Sequence, residues 1–376
     1  MRRVLPAAAV AACAVAACAV AVATAPAAAA ATASHGWSVV PTPSPAGAVL
    51  GGVACSGATA CTAVGYFQTG NQLAPLAERW NGTAFTIQPV PSPAASQSTD
   101  LRGVSCPAAT ACTAVGVYVT SPGGYRTPHG LAERWDGSAW SIQPTPASLG
   151  GLAGVSCPTV SACTAVGGFG GAFRAAQWNG STWSPESVAL PHSGSAGLDA
   201  VSCTAATACI AVGDTLPQGS LEPHPLAERW NGSTWSILPV PAPAGGGELF
   251  GVSCTTATAC TAVGQLYRHP GVLAERWNGS GWSIQRTPIP PATAGASLTA
   301  VSCPAPTACT AAGSVTNTFQ DLTLAEHWDG TTWSIQPTPN PPGGQNGLNA
   351  VACPTTAFCL TTGGQARGAL AERFTG

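Results

Sequence analysis

The same unit returns seven times along this chain, and no other feature restricts its possible folds as strongly. Each copy begins with a cysteine, five residues and a second cysteine. There follow, in most copies, A-V-G, a stretch of variable length, A-E-R-W-N-G and a second aromatic residue. The pairs are Cys55/Cys61, Cys106/Cys112, Cys157/Cys163, Cys203/Cys209, Cys254/Cys260, Cys303/Cys309 and Cys353/Cys359, so the period is about 50 residues. Self-similarity at such a period belongs to chains built as stacked or ring-shaped arrays of one supersecondary unit.

These fourteen cysteines are all of those outside the first thirty-three residues. Residues 1–33 read as an export signal, with Arg2 and Arg3 before an Ala/Val run and Ala31-Thr32-Ala33 as a small-x-small cleavage site. Two other readings of the segment stay open. Residues 15–18 (V-A-A-C) match a lipobox that would place a lipid on Cys18, and the apolar run from 4 to 33 is long enough for an uncleaved anchor. In all three cases the body, residues 34–376, lies outside the cytoplasm, with no membrane span after cleavage. An even cysteine count in an exported chain reads as disulfides, each closing a short loop. Zinc is the weaker reading, because zinc-ligand pairs usually stand two to four residues apart and no histidine recurs with these pairs.

The second unit shows how one copy folds. Residues 101–106 (L-R-G-V-S-C) form a short strand and 107–111 a turn. Residues 112–119 (C-T-A-V-G-V-Y-V) form a second strand, 131–135 (L-A-E-R-W) a third and 140–143 (W-S-I-Q) a fourth. The Asp-Gly or Asn-Gly between the third and fourth is a hairpin signal, expected to need positive φ at both residues. Pro144 and Pro146 place the fourth strand at a sheet edge. Four short antiparallel strands, radially repeated, make a propeller blade. The sequence ends on E-R-F-T-G (372–376), within a unit that lacks its fourth strand, while G-W-S-V-V-P (36–41) is a fourth strand without the other three. The expected fold is therefore all-β: a single seven-bladed β-propeller of four-stranded blades, closed by an N-terminal strand that completes the last blade.

The repeated A-E-R-W-N-G-S-x-W pattern resembles the W-N-G-x-x-W repeats of uncharacterised secreted actinobacterial proteins, over nearly all of the mature chain. N-G-x-x-W is also distantly similar to the Asp-box of sialidase-type propellers, although here Asp or Asn abuts the glycine. The composition suits such a source. Only 7 % of residues are charged, the net charge is −2 and there is no lysine. With no basic patch to follow a phosphate backbone, nucleic acid is excluded as a partner class.

Residues that recur in every unit are read as structural. The aromatic pairs Trp80/Phe85, Trp135/Trp140, Trp178/Trp183, Trp230/Trp235, Trp277/Trp282, Trp328/Trp333 and Phe374/Trp37 are expected to fill the wedges between blades. The acid-base dipeptides Glu78/Arg79, Glu133/Arg134, Glu228/Arg229, Glu275/Arg276, Glu326/His327 and Glu372/Arg373 are expected to pair between blades, because adjacent strand residues point to opposite faces. Asn81, Asn179, Asn231 and Asn278 lie in glycosylation-like sequons and are read as hairpin residues.

Variation concentrates in the second-to-third and blade-to-blade connections, which share one face of a propeller, so that face is the expected binding face. Its candidate ligand-binding residues are Tyr66, Tyr118, Tyr125, Arg126, His129, Asp214, Glu222, His224, Tyr267, Arg268, His269 and Asp321. Phe67 and Phe319 lie on the same stretches. His129, His224 and His269 could share a metal only if three loops converged, and no metal or cofactor is assigned. No nucleophile elbow or zinc-protease helix occurs, and no catalytic residue is assigned. The resulting expectation is a secreted, monomeric, non-catalytic propeller that binds a glycan or surface protein. A carbohydrate-active enzyme using Asp214, Glu222 or Asp321 and a structural envelope protein are the alternatives.

Overall fold

The computed structural model describes residues 36–376 apart from 170–173, 190–194 and 292. The leader and its alternatives lie outside the described residues. Strand β1 (Gly36–Val39) precedes a first blade made of β2 (Val49–Gly57), β3 (Ala60–Thr69), β4 (Gln72–Trp80) and β5 (Phe85–Gln88). Five more four-stranded antiparallel sheets follow in sequence order, at 98–143, 151–186, 195–238, 247–284 and 295–336. The seventh has the order β1, Gly368–Thr375, Phe358–Gln365, Gly347–Thr355, so the N-terminal strand is the outermost strand of the last blade. Gly36 pairs with Thr375 and Trp37 with Phe374, and the Trp37 indole N–H donates to Gln336 Oε1 at 2.9 Å. The ring closes as the split unit requires.

Blades pack face to face. The leucines that open the inner strands (Leu50, Leu101, Leu152, Leu198, Leu249, Leu298 and Leu348) are at most 1 % exposed. The two aromatics of each blade sit opposite one another across the third and fourth strands, with ring centroids 5.3 to 5.9 Å apart and planes tilted. Six of the seven pairs are buried in the core, as their recurrence implies, and Trp37/Phe374 is partly buried against it. All seven C-x5-C pairs are disulfides, each tying the end of an inner strand to the start of the second strand of its own blade. Neighbouring blades are linked at the same level. The V-S-C serines Ser105, Ser156, Ser202, Ser253 and Ser302 each accept, at Oγ, the backbone N–H of the next blade's first cysteine at 2.9–3.0 Å.

The cysteines pair as expected, and the second member of each pair is a core residue. Cys61, Cys112, Cys163, Cys209, Cys260, Cys309 and Cys359 are buried, at 0 to 3 % exposed. The reason is their strand: each opens the second strand of its blade, an inner member of the sheet that the neighbouring blade covers. In five blades the threonine after the preceding blade's second cysteine brings its hydroxyl to the buried sulfur. Thr62 approaches Cys112, Thr113 approaches Cys163, Thr164 approaches Cys209, Thr261 approaches Cys309 and Thr310 approaches Cys359, at 3.5–3.6 Å. Cys260 instead lies 3.8 Å from Thr256 O and Cys61 lies 3.7 Å from Gly57 O, within their own turns.

The structure corrects the sequence reading in two places, of which the first is the hairpins. The Asn-Gly turns are four-residue loops, and only their glycine has positive φ, for example Gly82 at 100°. The preceding Asn or Asp acts through its side chain: Asn81 Oδ1 accepts the N–H groups of Thr83 and Ala84 at 2.9 Å. That supplies the turn locally, so the strained first position of a two-residue turn is not required. The bonds also hold the Asp136 carboxyl down at about 2, the Ser138 hydroxyl and the N–H groups of Ala139 and Ser138 stabilising its charge.

Second, the glutamates and arginines of A-E-R-W do not pair. The ion pairs among the described residues, Arg102–Asp100 and Arg268–Glu222, involve neither set. Arg79, Arg134, Arg276 and Arg373 lie over Trp135, Trp178, Trp328 and Trp80 of the following blade, 4.7 to 5.9 Å from the ring centroids. Three of them also donate to a carbonyl in that blade's C-x5-C turn: Ala109, Val160 or Pro306. A tryptophan face and a turn carbonyl together engage each half-buried guanidinium, and burial lowers Arg79, Arg134 and Arg276 from the ordinary arginine value. The glutamates are fully buried on the other side of their blades.

Candidate functional site

On the variable face the second and third strands extend further than their sequence suggests, so several candidates lie in strands instead of loops. Tyr66 pairs with Val49 and Pro75 within β3. Tyr118 pairs with His129, their rings stacked at 4.8 Å, and His129 Nε2 is 2.9 Å from Thr120 Oγ1. Asp214 stands opposite Gly197 and Pro225, and His224 opposite Thr215. Asp321 opens its strand and accepts from Thr316 Oγ1 at 2.7 Å. Tyr125 and Arg126 follow a short 3-10 turn and are exposed, as are Tyr267, Arg268 and His269. The fold brings together two candidate pairs, Tyr118 with His129 and Glu222 with Arg268. The second pair, 2.6 Å apart, ties the fourth blade's loop to the fifth's. His129, His224 and His269 sit on three different blades.

The central channel holds functional candidates that the repeat conceals. The seven inner strands share the pattern Leu-x-Gly/Ala-Val, and the register slips at x in every blade, where two residues oppose one. Such a bulge re-aims a side chain. The bulged residues are Gly51, Arg102, Ala153, Asp199, Phe250, Thr299 and Asn349, and all seven line one cavity of about 220 Å³. The bulge also explains A-V-G. A Cβ on that glycine would lie only 1.8 to 2.2 Å from the carbonyl oxygen before the inner-strand leucine, in all seven blades.

The channel wall is electrostatically lopsided. Arg102 Nε donates to Asp100 at 2.9 Å, while Glu248 accepts from the Gln265 amide. Burial, with the charges of Asp214 and Glu248 added, pushes the Asp199 carboxyl up to about 6 against the opposing pull of Arg102. Asp214 is also raised, by burial and by Glu248, and Asp100 is raised by burial despite Arg102. The sequence does carry a signal for this ring: aligning the seven units against one another leaves x as the inner-strand position that differs in every copy. Read along the chain, each residue looks like an ordinary strand position.

No protein-family profile matches the chain, and no curated protein sequence matches it. Solved structures of similar shape do exist. YCF48 bound to D1 peptide aligns with 90 % of this chain and 97 % of its own, at 11 % identity and a TM-score of 0.56. YCF48 from Cyanidioschyzon merolae aligns with 90 % of this chain and 98 % of its own, at 15 % identity and 0.57. U3-55K covers the same shares at 8 % identity and a TM-score of 0.60. At such identities the likeness establishes the fold alone: the chain is a seven-bladed β-propeller.

Proposed function

We propose that this protein is a secreted, non-catalytic propeller that binds a polypeptide partner, such as an exposed segment of a surface protein, on its variable face and at the mouth of its channel. The carrying observation is where the repeat breaks. The blades keep disulfide and aromatic pair in the same places, whereas the channel residues and the variable-face loops differ from blade to blade. A scaffold held constant beneath one variable surface suits recognition. YCF48, a propeller of similar shape, is described bound to a peptide. Seven disulfides suit an oxidising compartment.

A glycoside hydrolase or lyase is the second reading, favoured by the acids at Asp199, Asp214 and Glu248. Glycoside hydrolysis calls for two carboxylates flanking the scissile bond. These three stand on the fourth and fifth blades, while the first and seventh blades present Gly51 and Asn349 to the channel. Glu222 is held by Arg268 and Asp321 by Thr316.

The test is crosslinked capture from cell-surface extracts by the mature chain, run beside a glycan array and an Arg126→Ala/His269→Ala variant. A protein captured by the native chain and lost with the variant supports the reading. Glycan binding with no captured protein, or turnover of a glycan, overturns it.

A further inference from the structure

The seven bulged side chains do not have equal freedom. Thr299 Oγ1 donates to Leu348 O at 2.6 Å and Asn349 Nδ2 to Leu50 O at 3.2 Å, each bridging to the next inner strand. Arg102 is engaged by Asp100, and Gly51 and Ala153 offer no functional group. Two remain, on adjoining blades. The Asp199 carboxyl accepts no hydrogen bond among the described residues, although it lines a cavity. Phe250 is half-buried and is the one aromatic among the residues lining that cavity, whose flanking positions are Gly, Ala and Val. Close packing enforces that smallness, since a Cβ on Gly103, Gly154 or Gly251 would come within 2.9 Å of the neighbouring inner strand. A ring as large as Phe250 is tolerated there only because its bulge turns it into the channel.

A carboxylate without a donor beside an accessible aromatic face are the two halves of a site for a basic side chain: one takes the charge, the other the stem and the cation's approach to a ring. We propose that the channel wall at Asp199 and Phe250 binds a lysine or arginine side chain, carried on an extended polypeptide segment that enters from the variable face. This rests on the polypeptide-binding reading above and names what the partner presents. Asp214, on the strand next to Asp199, and Glu248, on the adjoining blade, add negative potential, and Arg102 with Asp100 marks the side of the channel that a cation avoids. Among these five groups, four carboxyls stand against one guanidinium. Ionisation of Asp199 in the region of pH 6, set by burial and by Asp214, Glu248 and Arg102, makes binding strengthen from pH 5 to pH 7.

The test uses the mature chain and three acetylated, amidated Gly/Ser heptapeptides that carry lysine, arginine or norleucine at the centre, read by saturation-transfer NMR titration. Saturable transfer is expected for lysine or arginine, with roughly tenfold weaker binding for norleucine and for Asp199→Asn. Phe250→Leu is expected to weaken binding without moving the melting temperature, which guards against a folding artefact. Equal transfer for lysine and norleucine, or transfer unchanged by Asp199→Asn, overturns the proposal. Capture of a surface protein that depends on Arg126 and His269 but not on Asp199 would also overturn it, while leaving the broader function intact. Lysine-selective, Asp199-dependent transfer with no captured protein would support the site and remove the broader reading.

Discussion

The buried glutamates of A-E-R-W show how one residue's surroundings set its chemistry. Glu133, Glu275, Glu326 and Glu372 are 0 % exposed, and neither carboxyl oxygen of the first three has a hydrogen-bond partner among the described residues, while the Thr323 hydroxyl draws Glu372 down against its burial. Burial pushes each up to about 8. Burial raises Glu228 to only about 7, because Ala189 N–H in the preceding linker donates to Oε2 at 3.0 Å and the Arg174 charge adds a smaller downward pull. The residues matching Ala189 before the other four are Pro91, Pro241, Pro288 and Pro339, which have no N–H to give. Each carboxyl thus holds its proton more tightly in the folded chain than in the unfolded one, where it titrates near 4.5. Its stabilising effect is complete below about pH 4.5 and is lost as the pH rises through about 8. The melting temperature should therefore be higher at pH 5 than at pH 9. Glu133→Gln should flatten the dependence and gain about 2–5 °C at pH 9. Calorimetry across this range checks it, and a flat native profile would contradict the burial of neutral carboxyls.

At the scale of the element, the inner strand with its bulge governs much of the repeat. The slip at Asp199 drives the Gly197 carbonyl against Gly213, so that a Cβ on Gly213 would lie 2.1 Å from that oxygen. Gly213→Ala should cost more than about 2 kcal/mol and should also rearrange the channel around Asp199. Urea unfolding of the variant measures the cost, and a loss below half of it would mean that the strand can shed its bulge. Blade number, strand order, disulfide pairing and ring closure were all legible in the sequence. Cys-x5-Cys, Asn-Gly, Trp and Pro each act through local chemistry that spacing alone reveals. The channel residues were not legible in the same way. Bulging is a property of two paired strands, and a single glycine in A-V-G does not say which carbonyl presses on it. The burial of Cys112 or Cys163 was hidden likewise, since the cover comes from a blade some 50 residues away. The Glu-Arg pairing failed for a related reason. Alternation placed the two on opposite faces, but nothing in the dipeptide records that the next blade offers the arginine a tryptophan and a turn carbonyl. Of the variable-face candidates, Tyr118 and His129 meet because the strand at Thr127–Trp135 begins before the apolar pattern does, whereas Glu222 and Arg268 meet loop to loop across neighbouring blades, a contact that spacing within one unit does not record.

For the whole molecule, the seam between first and last blades carries the closure. Strand β1 pairs along four residues with Gly368–Thr375, Trp37 packs 5.5 Å from Phe374, and Val40 N–H donates to Ala371 O at 2.8 Å. Asn349 Nδ2 reaches Leu50 O across the same seam. Neither Ala54 nor Ala352 can supply the serine link that joins the other blades at the cysteine level, so β1 bears more of the closure than any single outer strand elsewhere. Deleting residues 36–41 leaves Gly368–Thr375 as an open edge and removes an apolar lid from the first blade's core, in which Val40 is buried. A ring has no free end at which such damage can stop, since every blade is packed on both sides. The expected result is one cooperative transition at a lower temperature, by about 5 °C or more. Amide exchange should quicken in the first and seventh blades together. Exchange that quickens only in 368–375, with the transition unmoved, would show that the blades stand independently and that the ring is held by its disulfide-bonded inner strands alone.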